Sequence, residues 1–350
     1  MGNTSLIKTG IFMNVQTVNQ QELTDELEIN IGLNIPTFIH GPPGSGKTAI
    51  VDATIKRLNI GKKEVKLNLM DVVDIKGLPF VEDTEQGKLT SWTLPNFLPR
   101  AEVDGERGVL LWEELPQAQR LVQTSTFGII QEGRKDDWRM PEGWCHVATG
   151  NRAEDKSATY EMPAALKSRF YHFWLEPDLA PWKKYHQASG GDPDISAFLD
   201  YMPQYFMTFD PNAEAWGSPR TWSLLSRRLR AAIDPQRLLK VVSGAVGVEA
   251  AMKFLAFQQL KHAAPSIDEI VANPHSCRIP VEVGTQYAVV STLVEHTTPL
   301  NFQQIIQYTD RMPKEFQVGY LRDAVARHEE LISSPTFLAW ISDPKNQNII

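Results

Sequence analysis

The run Gly41-Pro42-Pro43-Gly44-Ser45-Gly46-Lys47-Thr48 combines the residue types needed to hold a chain of phosphates. Its glycines reach backbone conformations closed to other residues, so successive N–H groups can turn inward around phosphate oxygens, at the positive end of the helix that follows. Lys47 has the reach to meet β- and γ-phosphates, and the Thr48 hydroxyl is a hard oxygen donor suited to magnesium. The bare pattern would arise by accident in roughly one chain in a hundred of this length, at a background of about 7% glycine. Its flanks therefore decide: an apolar strand pattern precedes Gly41, and Ala49-Ile50-Val51-Asp52-Ala53 continues as a helix.

A site of this kind needs acidic residues at the end of a neighbouring strand, and Val109-Leu110-Leu111-Trp112-Glu113-Glu114 supplies them. One carboxylate, Glu113, would join Thr48 in the magnesium shell, while Glu114 would polarise the attacking water. Alone, an apolar strand ending in two glutamates is as well explained by solvated strand-end charges; beside a phosphate loop it reads as the other half of an ATP site. The eight histidines show no His-x-x-x-His spacing, and His40, directly before the loop, reads as a strand-end residue rather than a ligand. Ser-His-Asp and paired-carboxylate glycosidase patterns find no support.

The elements that must position these residues are those of a parallel sheet with crossover helices. Candidate strands are Thr37 to His40, Val65 to Leu69, Val109 to Trp112, Cys145 to Thr149 and Tyr171 to Leu175; most are short and apolar, as buried parallel strands are. Val65 to Leu69 alternates with Lys66 and Asn68, which suits an edge. Pro116 to Gln131 places Ala118, Leu121, Val122, Ser125 and Ile129 at helical spacing, predicting one crossover helix. Beyond Glu176-Pro177-Asp178 strand signals fade. Asp192-Pro193 and Ser218-Pro219 each set a capping side chain before a proline at a first helical position. Helical patterns follow around Pro235 to Val242, Val248 to Lys261, Val283 to His296, Phe302 to Asp310 and Pro313 to Glu330.

Together these motifs resemble the AAA+ ATPases, and within them the MoxR branch, which is similar to the modules of midasin and the magnesium chelatase ATPase subunit. The likeness runs through the phosphate loop, Gly108 to Ala118, Ala148-Thr149-Gly150-Asn151, Met162-Pro163-Ala164-Ala165-Leu166-Lys167-Ser168-Arg169-Phe170 and Ser218-Pro219-Arg220, in family order. It implies a P-loop AAA+ module over residues 1–177, an α/β fold with a five-stranded parallel sheet flanked by helices. An all-α lid over 178–265 and a helical C-terminal extension over 266–350 would follow. By the same resemblance Asn151 is the sensor-1 residue that aligns water, Arg169 the arginine finger offered to a neighbouring subunit, and Arg220 the sensor-2 arginine of the lid. Taken alone, Asn151 beside Gly150 is an ordinary turn residue, Arg169 a helix C-terminal cap, and Arg220 an exposed helix arginine; Arg152 competes with Arg169. Asp71 to Phe80, a polar turn at Glu82 to Gly87, and Leu89-Thr90-Ser91-Trp92 resemble the hairpin insertion in helix 2 that marks this branch. A second hairpin is expected at Gly133 to Gly143, with Arg134, Lys135, Trp138 and Arg139. For Trp92, Phe97, Trp138 and Trp144, packing and substrate contact both fit.

Two features depart from the family pattern. The acidic strand ends Glu113-Glu114 where Asp-Glu is usual, and the helical part exceeds a minimal lid. Ser266 to Ile350 carries no mechanistic motif, although Glu315-Phe316-Gln317 and Leu321-Arg322-Asp323-Ala324 have the character of a MoxR-like extension.

The resemblance implies a homo-oligomeric ring, usually of six, that hydrolyses ATP with Mg2+ to remodel or mature a protein client in a chaperone-like way, the client in some cases carrying a von Willebrand factor A-like domain. A DNA-dependent AAA+ motor or loader is the alternative; the net charge of -7 counts against it, since phosphate-backbone binding draws on Lys and Arg. The third reading, prompted by Glu113, is an ATP-gated scaffold with little turnover. With 42% hydrophobic and 22% charged residues, the chain has the composition of a globular protein with a substantial core. Cys145 and Cys277 lie too far apart for a metal pair or a disulfide framework, which fits a reducing cytoplasm. Met1 to Gly10 lacks an export-signal pattern, and no apolar run reaches bilayer length. The longest, Val241 to Phe257, is broken by Glu249 and Lys253 and reads as core helices.

Overall fold

Six parallel strands form the central sheet of the computed structural model, which describes residues 16–85, 87–152, 155 and 160–346, with the backbone alone at residue 262. Met1 to Gly10 and Gln86 of the polar turn lie outside the described residues. The strands of the sheet are β1 (Thr17–Val18), β2 (Thr37–His40), β3 (Gly61–Lys66), β6 (Arg107–Glu113), β9 (Gly143–Gly150) and β10 (Tyr171–Leu175), in the order β1-β10-β2-β9-β6-β3. Two antiparallel hairpins stand apart from it: β4 (Pro79–Thr84) with β5 (Gly87–Trp92), and β7 (Arg134–Lys135) with β8 (Trp138–Arg139).

The apolar strands are buried on both faces because their side chains alternate between two cores. Phe38, Leu110, Trp112 and Ala148 pack with Val122, Ile129 and Leu166 on one side; Ile39, Val109, Leu111 and Val147 pack with Leu23, Leu27, Val51 and Ile55 on the other. Every parallel strand thus points its carboxyl end the same way, which is where α/β sheets bind ligands.

Three expectations need correction. The expected five strands are present, but the sheet has a sixth: Thr17–Val18 pairs with Trp174 and Leu175 at one edge, too short to leave a pattern in sequence. The third strand is Gly61–Lys66 rather than Val65 to Leu69, and Leu67–Leu69 forms a single 3-10 turn. As expected it is an edge strand, bonded to β6 alone, and only Val65 of its residues is buried, so a polar sequence suffices there. Pro116 to Gln131 is not one helix. It is a 3-10 turn at Leu115–Gln117, then helices Arg120–Ser125 and Phe127–Glu132. Its polar side chains bond backbone carbonyls instead of letting the ladder run on: Gln123 Nε2 donates to Ala118 O at 2.9 Å and Thr126 Oγ1 to Gln123 O at 2.7 Å.

The chain divides into two compact units, residues 1–41 with 47–176, and residues 42–46 with 177–350. From Pro177 onward the described residues form helices and turns. Asp192 accepts from Asp194 N to start Pro193–Tyr201, and Ser218 accepts from Thr221 N to start Pro219–Leu229. The apolar run from Val241 to Phe257 belongs to two helices, Leu238–Val246 and Val248–Leu260, parted by Gly247 at φ +87°. Val283–His296 forms as expected, Phe302–Thr309 ends a residue earlier, and the helix expected to reach Glu330 stops at Arg327 before a 3-10 turn. Buried Lys183 is neutralised by Asp200 and, at 3.2 Å, by Asp323; Arg322 bonds both carboxylates. No helix among the described residues is long and apolar enough to cross a membrane.

Candidate active site at the carboxyl ends of the sheet

β2 runs apolar through Phe38 and Ile39 and delivers the chain into Gly41–Gly46, after which Lys47 opens the helix Lys47–Leu58. Gly44 and Gly46 take φ of +79° and +97°, conformations that cost other L-residues energy. Gly44 is also crowded: a Cβ there would meet Ser218 Oγ at 2.7 Å, and Gly44 O accepts from Arg220 N at 3.2 Å, both within the second unit. Ser45 Oγ is buried without a hydrogen-bond partner among the described residues.

Lys47 Nζ donates to Gly41 O at 2.7 Å and to Asn151 Oδ1 at 3.0 Å, linking the loop to the residue after β9. Thr48 Oγ1 donates to Glu113 Oε1 at 2.5 Å. Glu113 is 9% exposed, and burial raises its carboxyl above the usual range; the Thr48 hydrogen bond opposes the shift and the nearby Glu64 carboxylate adds to it. Lys66 Nζ lies 3.9 Å from Glu113 and 3.4 Å from Glu64. Glu64 moves the other way, held down chiefly by its hydrogen bond from Lys62. A hydroxyl and a carboxylate in contact are the hard oxygen donors magnesium takes, so Thr48 and Glu113 fit that ion.

Glu114 follows at once in the left-handed region, φ 55° and ψ 38°, and its side chain stands exposed. The turn closes through Gln117 N, which donates to Glu114 O at 2.9 Å. Of the arginines, Arg152 is bound to Asp155, with Nη2 to Oδ1 at 3.0 Å. Arg169, at the end of the turn after Ala164–Lys167, is exposed and makes no ion pair among the described residues; the same holds for Arg220. Thus the first unit brings together Gly41, Lys47, Thr48, Glu113, Glu114 and Asn151. The second contains Pro42, Pro43, Gly44, Ser45, Gly46 and Arg220.

Sequence reasoning passed over Gln117 and the pairing of His40. His40 is a strand-end residue, stacked on Trp174 at 4.8 Å with its Nε2 2.9 Å from His172 Nδ1. Burial first, then the charges of His172, Lys47 and Lys167, push it down to about 3, so it stays neutral. His172 Nε2 in turn reaches Lys167 O at 2.7 Å, two residues before Arg169. Phe97, Trp138 and Trp144 are buried and pack, Trp138 Nε1 donating to Pro99 O and Trp144 Nε1 to Gly105 O, whereas Trp92 is 41% exposed.

No family model matches the chain, and no curated protein does. Among solved structures it is similar to a Cytophaga hutchinsonii protein described as a candidate ATPase: 13% identity over 88% of this chain and 81% of that one, TM-score 0.36. It is similar to the Thermotoga maritima RuvB Holliday junction branch migration motor, with 14% identity over 70% and 74% of the two chains and a TM-score of 0.36. NtrX from Brucella abortus, in complex with ADP, is similar at 14% identity over 95% of this chain and 69% of that one, TM-score 0.40. At such values the functional reading has to rest on this chain's own residues.

Proposed function

We propose that this chain is an ATPase of the AAA+ type, of the MoxR branch, working as a homo-oligomeric ring on a protein client. The observation that carries the ATPase reading is the meeting of Lys47 with Gly41 O and Asn151 Oδ1, next to Thr48 on Glu113. Three separate stretches of sequence supply those groups, and each is the type that phosphoryl transfer needs.

The loop N–H groups and Lys47 bind the triphosphate, Lys47 giving a phosphate oxygen the hydrogen bonds it now spends on carbonyl and amide oxygens. Thr48 and Glu113 would hold magnesium, which would supply charge screening for the phosphates. Glu114, exposed to solvent beside the site, accepts a proton as water attacks the γ-phosphorus. The bond to the bridging oxygen breaks, and its electron pair leaves with ADP. Asn151 retains amide N–H capacity to steer that water. Arg169 is the group a neighbouring subunit would receive to offset the transferring charge, and Arg220 is the lid arginine; the exposure of both, and their lack of ion pairs among the described residues, support the two assignments.

The ring is tested by mixing two variants. Arg169→Ala keeps its own Lys47, and Lys47→Ala still offers Arg169. Each alone should lose at least about a hundredfold in phosphate release, in line with arginine-finger losses of about 10³ to 10⁵, and the mixture should regain turnover. A mixture as inactive as its components, or an Arg169→Ala protein as active as the unaltered one, would count against a shared site.

A further inference from the structure

Gln117 is a polar side chain at the candidate site that takes no part in the mechanism above. Lys47 is an ammonium and only donates, so the Asn151 oxygen must face it and the Asn151 NH2 must point away. It points at Gln117. With the Gln117 amide oxygen toward Asn151, that oxygen accepts from Asn151 Nδ2 at 2.9 Å and from Asn151 N at 3.1 Å, and Gln117 Nε2 donates to Glu114 O at 3.1 Å. The opposite orientation would set oxygen against oxygen at Glu114 and N–H against N–H at Asn151, so a single orientation is allowed.

Gln117 therefore holds two site residues from one amide. It fixes which way Asn151 faces, and it adds a second donor to the Glu114 carbonyl, which already accepts from Gln117 N. That carbonyl belongs to a residue in the left-handed region, where a residue other than glycine is strained by roughly 1–2 kcal/mol and persists only if its surroundings hold it. The turn is pressed onto β9 from outside as well: a Cβ on Gly150 would meet Pro116 Cδ at 2.4 Å, and Pro116 O accepts from Tyr160 N at 2.7 Å.

We propose that Gln117 is the positioning residue that locks Glu114 and Asn151 into register for attack on the γ-phosphate. The inference rests on the hydrolytic reading of the site. Gln117 acts through Asn151 and Glu114, so its removal should slow the chemical step and leave nucleotide binding alone.

The experiment compares the full-length chain with Gln117→Met, which keeps length and volume, and Gln117→Ala, each alone and combined with Asn151→Ala. Steady-state phosphate release gives kcat and KM, and binding of a non-hydrolysable ATP analogue gives Kd. Both Gln117 variants should lose about tenfold or more in kcat, with KM and Kd within about twofold, as expected when an interaction made only in the transition state is removed. In the Asn151→Ala background the same substitutions should cost only the smaller share that passes through Glu114. Unchanged kcat in Gln117→Met, a Kd that rises in step with the loss, or an undiminished loss without Asn151 would each overturn the proposal. Should the unaltered chain bind the analogue yet release no phosphate from ATP, the hydrolytic reading itself falls, and this inference with it.

Discussion

Glu114 carries the clearest conflict between local comfort and chemistry. Its backbone is left-handed, a state that costs a residue with a Cβ and suits glycine. Glu114→Gly should therefore leave folding stability unchanged or raise it by up to about 1 kcal/mol, while removing the carboxylate and with it turnover. Urea midpoints and phosphate release on the same protein check both halves; a loss of stability would mean that the conformation is not strained. At this scale the phosphate loop could be proposed from residue type and spacing, Glu113 and Glu114 only beside that loop, and Asn151 only through the family resemblance. Gln117 was not. Its role depends on a turn folding it back onto Glu114 O, and a stretch read as one continuous helix from Pro116 hides that turn.

Elements were legible where burial is uniform. β2 and β10 match their predicted limits because the cores take up apolar residues within each, Phe38 and Ile39 in one and Phe173 and Leu175 in the other. β3 was misplaced because an edge strand needs one buried residue and otherwise tolerates charge. The elements also bury histidines that sequence could not assign. His146 on β9 accepts from Trp112 Nε1 on β6 at 3.1 Å through Nδ1, so its Nε2 must carry the proton and donate to Ile129 O. Burial pushes His146 and His186 down to about 4, well below an unfolded value of about 6.5. With the folded value depressed, the unfolded chain binds protons first as pH falls. Stability is therefore complete above about pH 6.5 and declines below it, by up to about 1.4 kcal/mol per pH unit for each such histidine. Denaturation between about pH 7 and about pH 5 should show a shallower decline in His146→Gln than in the unaltered chain; parallel declines would contradict the assignment.

Over the whole molecule, the sequence announced a sheet-bearing first part and a helical second part but left Ser266 to Ile350 without a mechanism. Its fold depends on long-range partners that no local pattern encodes. Lys183 meets Asp323 across 140 positions, and Asp194 accepts from Ser291 across 97. These are buried charges and hydroxyls satisfying one another, a requirement of packing rather than of catalysis. The proposed activity rests on the chemistry at the strand ends, and Glu114 decides it. The direct measurement is phosphate release from ATP with Mg2+ by the unaltered chain and by Glu114→Gln, alongside ATP binding to both. The account predicts that both bind ATP with similar affinity and that Glu114→Gln turns over at least about a hundredfold more slowly. Equal rates from the two proteins, with ATP bound to each, would contradict it and leave a nucleotide-gated scaffold in place of an enzyme.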